Sequence, residues 1–209
     1  MRDKILEKSA ELFLNLGFKS VTMDDIANEV GASKKTIYSL FKNKSDLILQ
    51  VTDWVFCNIT EGINTILTAQ ENPIKEIFDI KRHVSMCLND EKSSSQYQLQ
   101  KYYPKIYETI KNKQFNYMQN CVKKNLHRGV HLGLYRDNIN VDFITNIYFN
   151  GMIGIKDCSL FPPEQFSINT LMDLYLEYHL RGICSEKGIL ELKNQLKNKN
   201  EKPITSVKI

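Results

Sequence analysis

Glycine and proline are scarce in this sequence, with 9 and 5 residues among 209. They divide the chain into pieces of helix length, and within these pieces apolar residues recur at positions i, i+3 and i+4. Strict alternation of apolar and polar residues, which is typical of half-buried strands, is not sustained anywhere. The sequence therefore predicts an all-α fold.

Cysteine and histidine are also few, and they lack the spacing of metal sites. The five cysteines are irregularly placed, with no Cys-x-x-Cys motif: Cys57, Cys87, Cys121, Cys158 and Cys184. This pattern indicates neither a disulfide framework nor a thiolate zinc site, so we expect a reduced, cytoplasmic setting. His127 and His131 lie four residues apart, but Cys121 is too far from them to be an obvious third ligand. Only Cys121 has the cationic neighbours that a redox switch requires. We expect no metal site and no cofactor.

Long apolar runs and catalytic motifs are absent as well. No segment approaches the ~18 apolar residues that cross a bilayer, and the first residues are charged instead of forming an apolar signal core. The sequence holds no P-loop, no Gly-x-Gly-x-x-Gly, no His-Glu-x-x-His and no Gly-x-Ser-x-Gly. We therefore expect a protein with no membrane partner and no enzymatic activity.

Positive charge is concentrated in one short segment. The formal net charge of +4 permits a nucleic-acid partner without requiring one. Between Gly31 and Gln50, however, four lysines stand against one acidic residue, Asp46, which leaves a local excess of three (4 − 1): Lys34, Lys35, Lys42 and Lys44. By itself, such a cluster is more often a solvated surface than a DNA contact, so its significance depends on the motif that carries it.

The same segment predicts a helix-turn-helix. A short helix begins after Thr22, a candidate N-cap, and a second, from Lys34 to Phe41, begins after Ser33. A glycine-containing turn, Gly31-Ala32-Ser33, separates them, as in DNA-binding motifs of this kind. On a helical projection, Ile37, Leu40 and Phe41 face the preceding helices. The opposite side carries three polar residues that suit base edges and phosphates: Lys35, Ser39 and Lys42.

Residues 5–50 also carry a family resemblance, in unbroken register: Ala10, Leu12-Phe13, Gly17-Phe18, Val21-Thr22, Ile26-Ala27, Val30-Gly31, Ser33, Thr36-Ile37-Tyr38, Phe41, Lys44 and Leu47. With these residues the segment resembles the DNA-binding domain of the TetR family of bacterial regulators. The resemblance implies phosphate contacts by Thr22, Tyr38 and Lys44. It implies that a further four residues face the bases: Lys34, Lys35, Thr36 and Ser39. Ser33 and Lys42 complete the predicted DNA-binding set.

Two positions depart from the family pattern. Lys35 replaces a residue that is small in many relatives, and it could add a contact to a base or phosphate. Leu40 stands where the family often has a polar or aromatic residue that reaches the DNA backbone. We therefore expect no such contact from Leu40.

The rest of the chain is predicted to be a helical body followed by a tail. We place a DNA-binding domain at residues 1–46, a ligand-binding and dimerisation domain at 47–192, and a flexible basic tail at 193–209. The predicted helices run from Lys44 to about Thr68, from Pro73 to about Leu88, from Gln96 to Tyr103, from Pro104 to about Leu132, and over Val141–Asp157 and Glu164–Arg181.

The resemblance implies a homodimer in which the last two helices of each subunit pair. The residues expected at this interface are Phe143, Ile147, Gly151, Gly154, Leu171, Leu174, Tyr175 and Tyr178. A ligand pocket is expected among the aromatic and sulfur-containing residues of the body: Trp54, Phe78, Met86, Tyr103, Tyr107, Phe115, Tyr117 and Phe149. Such a lining suits a flat or apolar compound, and a cationic one is left open because Glu61 and Glu108 could supply a charge.

These expectations lead to one predicted function and one alternative function. The first is a sequence-specific transcription regulator, a repressor that a small-molecule ligand releases from a palindromic double-stranded DNA operator. The rival is an all-helical small-molecule-binding protein without specific DNA binding. Duplex binding as a function of salt concentration distinguishes the two.

Overall fold

The computed structural model describes residues 1–88 and 94–201 of the chain. These residues form ten α-helices: α1 (Arg2–Leu16), α2 (Met23–Val30), α3 (Lys34–Leu40), α4 (Lys44–Thr68), α5 (Pro73–Cys87), α6 (Ser94–Tyr102), α7 (Pro104–His131), α8 (Val141–Gly154), α9 (Ile168–Ile183) and α10 (Glu186–Glu201). Extended backbone pairing in the described ranges is limited to an isolated bridge between Tyr135 and Cys184. The all-α prediction is confirmed.

Side-chain caps set the starts of the N-terminal helices. Thr22 and Asp25 form a capping box, in which the Thr22 Oγ1 accepts from the Asp25 N–H at 3.2 Å and the Asp25 carboxylate accepts from the Thr22 N–H at 2.8 Å. The Ser33 Oγ accepts from the Thr36 N–H at 3.1 Å, and Asn43 caps α4 in the same way. These local bonds place the starts of α2, α3 and α4 where the sequence predicted them.

An N-terminal core holds α1 to α4 together. Ile5 and Phe13 of α1, Ile26 of α2, Ile37 of α3 and Leu47 of α4 are all completely buried in one cluster. Each comes from the apolar stripe of its helix, so burial of the stripes fixes how the short helices pack. The α2–turn–α3 unit thus rests on a rigid support.

The helical body has a second core, formed around α5, α7, α9 and α10. Ile74, Leu126, Leu180 and Leu192 are buried at its centre. Helix α4 extends from the N-terminal core into the body and packs along α5 and α7. The predicted boundary at residue 46 falls inside α4, and the division of the chain into domains stays a prediction.

The C-terminal helices differ from the predicted ones. Helix α8 ends at Gly154, before the predicted Asp157, and α9 begins after its cap Ser167, later than the predicted Glu164. The expected flexible tail from residue 193 is wrong for residues 193–201, which belong to α10. Its apolar stripe of Ile189, Leu192 and Leu196 packs on the second core, and this burial stabilises a segment that is otherwise polar. Residues 202–209 and most of the predicted polar loop at 89–95 lie outside the described residues.

Candidate nucleic-acid interface and ligand cavity

Helix α3 presents a polar edge at the surface. Ile37 and Phe41 are completely buried beneath it, which anchors the helix on the N-terminal core. Lys35, Tyr38 and Ser39 are exposed on the other side, as predicted. A short helix held by its apolar side and exposed on its polar side has the geometry that enters a major groove.

Leu40 corrects the predicted packing of α3. The projection placed it with Ile37 and Phe41 against the core, but its side chain is 39% exposed. The helix ends at Leu40, and the backbone at Phe41 is extended, with φ −133° and ψ 123°. This change of direction turns Phe41 into the core in place of Leu40.

The hydroxyl groups of this edge already have local partners. The Ser33 and Thr36 hydroxyls share a hydrogen bond at 2.8 Å, and the Ser39 Oγ donates to the Thr36 carbonyl at 2.7 Å. Thr36 is also half-buried. These bonds hold the hydroxyls in place, and each hydroxyl oxygen keeps some capacity for a further hydrogen bond.

Two of the predicted lysines are engaged within the protein. The Lys34 Nζ lies 2.9 Å from the Asp24 Oδ2 on α2, and this hydrogen bond raises the pKa of Lys34. The Lys44 Nζ donates to the Lys19 carbonyl at 3.2 Å, where partial burial lowers the pKa of Lys44. Lys34, Lys35 and Lys42 are exposed, whereas Lys44 is half-buried. Lys44 therefore also ties the start of α4 to the turn after α1, a role that the sequence pattern did not indicate.

Thr22 lies beside a carboxylate. Its hydroxyl donates to the Asp25 Oδ2 at 2.8 Å, and the two bonds from Thr22 lower the pKa of Asp25. Thr22 thus acts first as a helix cap. Its exposed position at the start of α2 leaves the predicted phosphate contact open.

A cavity of about 250 Å³ lies in the body. Its walls come from α1 and from α4 to α9, so it reaches the N-terminal core. Tyr107, Tyr117 and Phe149 line it, as predicted. Ala10 and Phe13 also line it and were not predicted, because nothing in the sequence of α1 distinguishes a residue that faces a cavity from one that faces the core.

Five predicted pocket residues do not line this cavity: Trp54, Phe78, Met86, Tyr103 and Phe115. Trp54 and Tyr103 pack against the N-terminal core, and Phe78 packs against the second core. Phe115 stacks behind Phe149, with ring centroids 4.8 Å apart. Met86 is 72% exposed. Helical spacing identified apolar positions but not the side of each helix that faces the cavity.

The charged residues that line the 250 Å³ cavity are all basic. Three lysines line it, Lys81, Lys111 and Lys156, and its described lining includes no carboxylate. Glu61 and Glu108, the acidic residues considered from the sequence, are exposed elsewhere. A counter-charge for a cationic ligand is therefore missing from this lining, contrary to the option that the sequence left open.

A second cavity of about 70 Å³ shares several wall residues with the first. His179 lines it, and burial lowers the pKa of this imidazole to about 4. Cys121 also lines it, and burial raises the pKa of its thiol, the opposite of what an activated thiolate requires. Within residues 1–88 and 94–201, no group of three or more His, Cys, Asp or Glu side chains could hold a metal ion. No helix in these ranges is both long and apolar enough to span a bilayer.

Helices α8 and α9 share an exposed apolar face. Four of the predicted interface residues form it: Phe143, Ile147, Leu174 and Tyr178. Leu171 is instead buried within the chain. Tyr175 is turned inward, because its hydroxyl donates to the Tyr148 carbonyl at 2.9 Å and its ring lies against Gly151. At Gly154 an added Cβ would meet no atom within 4 Å.

Comparison with known families identifies the N-terminal segment. The profile described as "Bacterial regulatory proteins, tetR family" matches residues 5–51, which form α1 to α3 and the first turns of α4. Residues 5–51 of this chain are therefore similar to the DNA-binding domain of the TetR family. The resemblance inferred from the sequence is therefore confirmed.

Curated TetR-type relatives match only the N-terminal part. The activator FasR of Mycolicibacterium smegmatis is 30% identical over 91 residues, 40% of this chain and 42% of FasR. The repressor KstR2 of the same organism is 30% identical over 74 residues, 34% of this chain and 36% of KstR2. IcaR of Staphylococcus aureus, a negative regulator of the biofilm operon icaADBC, is 31% identical over 72 residues, 34% of this chain and 37% of IcaR. The matches span about two fifths of these relatives or less.

Solved structures match nearly the whole fold. A TetR-family regulator from Agrobacterium tumefaciens has a TM-score of 0.69 at 17% identity, over 88% of this chain and 97% of that one. SmeT, the repressor of the Stenotrophomonas maltophilia multidrug efflux pump SmeDEF, has a TM-score of 0.61 at 17% identity. The match covers 89% of this chain and 91% of SmeT. At such low identity these likenesses show the fold alone.

Proposed function

We propose that this chain is a sequence-specific DNA-binding transcription regulator, a repressor that a small molecule releases from its operator. The observation that carries this proposal is the polar edge of α3, with Lys35, Tyr38 and Ser39 exposed above a fully buried Ile37. The family match covers the same helices. Repression is the mode of two of the three relatives described above, KstR2 and IcaR.

A dimer is part of the proposal. One short recognition helix reaches few base pairs, so regulators of this design gain affinity and specificity by pairing on a two-fold operator. The exposed apolar face of α8 and α9 supports such pairing, because a contiguous face of this kind on a lone chain would otherwise remain in water.

Coupling between ligand and DNA has a structural basis in shared helices. Val51 and Val55 of α4 line the 250 Å³ cavity, and the same helix begins beside α3. On the other side, α6 is tied to the N-terminal domain: the Lys19 N–H donates to the Gln98 Oε1 at 2.9 Å, and the Ser95 Oγ donates to the Leu14 carbonyl at 3.0 Å. A ligand that favours one arrangement of α4 and α6 would change the spacing of the two recognition helices.

Duplex binding against salt concentration tests the DNA-binding proposal. We expect the purified chain to prefer a palindrome from its own promoter, with a steep salt dependence. Tyr38→Ala should weaken binding to all duplexes alike, whereas Lys35→Ala should change the sequence preference at one position of each half-site by about 1–3 kcal/mol. Lys193→Ala, at an exposed lysine of α10, is the matched control and should change neither.

Two outcomes would contradict this assignment of roles. Equal effects of Tyr38→Ala and Lys35→Ala on every duplex would show that neither residue reads sequence. Absence of any salt-dependent preference for promoter DNA would favour the rival function, a small-molecule-binding protein that does not act on DNA.

A further inference from the structure

The walls of the 250 Å³ cavity combine an extensive apolar surface with cations. The apolar part includes Phe13, Val55, Ile63 and Phe149, contributed by three different helices. The described lining contains lysines but no aspartate or glutamate. A ligand that complements both features has an apolar body and a negative charge.

The three lysines differ in their partners. The Lys81 Nζ lies 3.3 Å from the Asp173 Oδ1, so its charge is compensated within the protein. Among the described residues, neither Lys111 nor Lys156 has a carboxylate at ion-pair distance. Both are half-buried beside apolar surface, where an unpaired ammonium is costly and an anionic ligand would compensate it.

The packing of α7 on α8 places these two lysines near each other. Three contacts set the register of this antiparallel pair: Lys123 with Asp142 at 2.7 Å, Gln119 with Asn146 at 3.3 Å, and Phe115 with Phe149 at 4.8 Å between ring centroids. In this order, each contact lies about one turn nearer the start of α7 than the one before it, and about one turn nearer the end of α8. The next step brings Lys111 level with Ile153. Lys156 lies in the turn directly after α8, and its backbone N–H donates to the Ile153 carbonyl at 3.1 Å.

We propose that this cavity binds a single-chain fatty carboxylate, with the carboxylate between Lys111 and Lys156 and the alkyl chain along the apolar wall. A volume of about 250 Å³ lies just below the roughly 300–1,000 Å³ of pockets for drug-sized ligands, which favours one chain over a bulky conjugate. The inference rests on the proposed sensing function, for which it names the class of ligand.

Calorimetric titration of the purified full chain, without DNA, tests the ligand class. The probes are sodium dodecanoate, 1-dodecanol and dodecyltrimethylammonium, each below its micelle concentration. We expect dodecanoate to bind saturably with one molecule per chain, the alcohol to bind at least tenfold more weakly, and the cation not to bind. Shortening the carboxylate from dodecanoate to decanoate should weaken binding by roughly fourfold per CH2. Trp54, the only tryptophan, adjoins the cavity residue Val55 and provides an independent fluorescence signal.

Charge-removing variants test the assigned residues. Lys111→Gln and Lys156→Gln should each lower the affinity for dodecanoate about tenfold and leave the affinity for dodecanol unchanged. Lys105 is an exposed lysine of α7, the helix that carries Lys111, and it lies outside the cavity. Lys105→Gln is therefore the matched control and should change neither the affinity for dodecanoate nor the affinity for dodecanol. Circular dichroism checks that each variant folds, and either lysine variant alone suffices for the test.

Three results would overturn the inference: equal binding of dodecanol and dodecanoate, preference for the cation, or unchanged dodecanoate affinity in the folded lysine variants. Because the titration contains no DNA, its outcome does not depend on operator binding. Promoter binding without carboxylate binding would refute the ligand class alone. Carboxylate binding without promoter binding would refute the regulator proposal and leave the ligand class standing.

Discussion

At the scale of single residues, the carboxylate of Glu76 shows how this helical body tolerates a buried charge. Glu76 is only 1% exposed, yet it accepts hydrogen bonds from the Arg128 Nη1 at 2.6 Å and the Asn125 Nδ2 at 2.7 Å. The Tyr135 hydroxyl donates in turn to the Asn125 Oδ1 at 2.9 Å. The network joins α5 to α7, and it satisfies polar groups of Glu76, Asn125 and Tyr135 that are almost completely buried.

Removal of the cation from this network should be costly. Arg128→Ala leaves the Glu76 carboxylate buried without its counter-charge, and we expect the free energy of unfolding to fall by about 3–5 kcal/mol. Arg181→Ala is the matched control, because Arg181 pairs with Glu177 at a partly exposed position where such pairs contribute about 1 kcal/mol or less. Urea denaturation measures both. Similar losses in the two variants would show that the buried network has no special role.

At the scale of elements, the end of α7 depends on a close approach that only glycine permits. The ring of the buried Tyr135 lies directly against Gly129, and a Cβ at this position would overlap it. The turn that follows returns hydrogen bonds from Leu134 and Tyr135 to the Gly129 carbonyl, at 2.8 and 3.0 Å. Gly133 makes this turn possible with a φ of +66°. The need for glycine at position 129 could not be predicted from the sequence, because the partner ring of Tyr135 is brought there only by the fold.

A pair of glycine substitutions tests this account. Gly129→Ala should lower the free energy of unfolding by about 1–3 kcal/mol, since Tyr135 must leave its packed position. Gly182→Ala lies in α9, where an added Cβ meets no atom within 4 Å, and should raise stability by roughly 0.5–1 kcal/mol through the better helix propensity of alanine. Thermal or urea unfolding distinguishes them. The account fails if the two substitutions shift stability in the same direction by similar amounts.

At the scale of the whole molecule, the proposed dimer depends on the exposed face of α8 and α9. Its apolar side chains are largely exposed, as the 57% exposure of Leu174 illustrates. A charge introduced there should therefore leave the fold of a single chain intact and oppose contact between two chains.

We expect Leu174→Glu to convert the protein from dimer to monomer without loss of helix content, and to lower promoter affinity roughly tenfold or more because the two half-sites are no longer bound together. Leu190→Glu, at an exposed leucine of α10 outside this face, should keep the dimer and the affinity. Sedimentation equilibrium gives the masses, and fluorescence anisotropy gives the DNA affinities. A dimeric Leu174→Glu variant with unchanged affinity would place the association surface elsewhere.

Features that depend on neighbouring residues along the chain could be predicted from the amino-acid sequence. Caps at Thr22, Ser33 and Asn43 act within one turn, so the starts of α2, α3 and α4 could be predicted, and so could the buried Ile37. The family pattern lies in this same local segment, which is why the polar edge of α3 was found before the fold was known.

Features that depend on contacts between distant segments became visible in the folded chain. Leu40 is exposed because the backbone changes direction at Phe41, and residues 193–201 are helical because the stripe of α10 finds a core to cover. The lining of the cavity, including Lys111 and Lys156, follows from how seven helices rotate against one another. Helical periodicity predicts which residues share one side of a helix. Whether that side contacts the core, a cavity or solvent depends on how the helices pack.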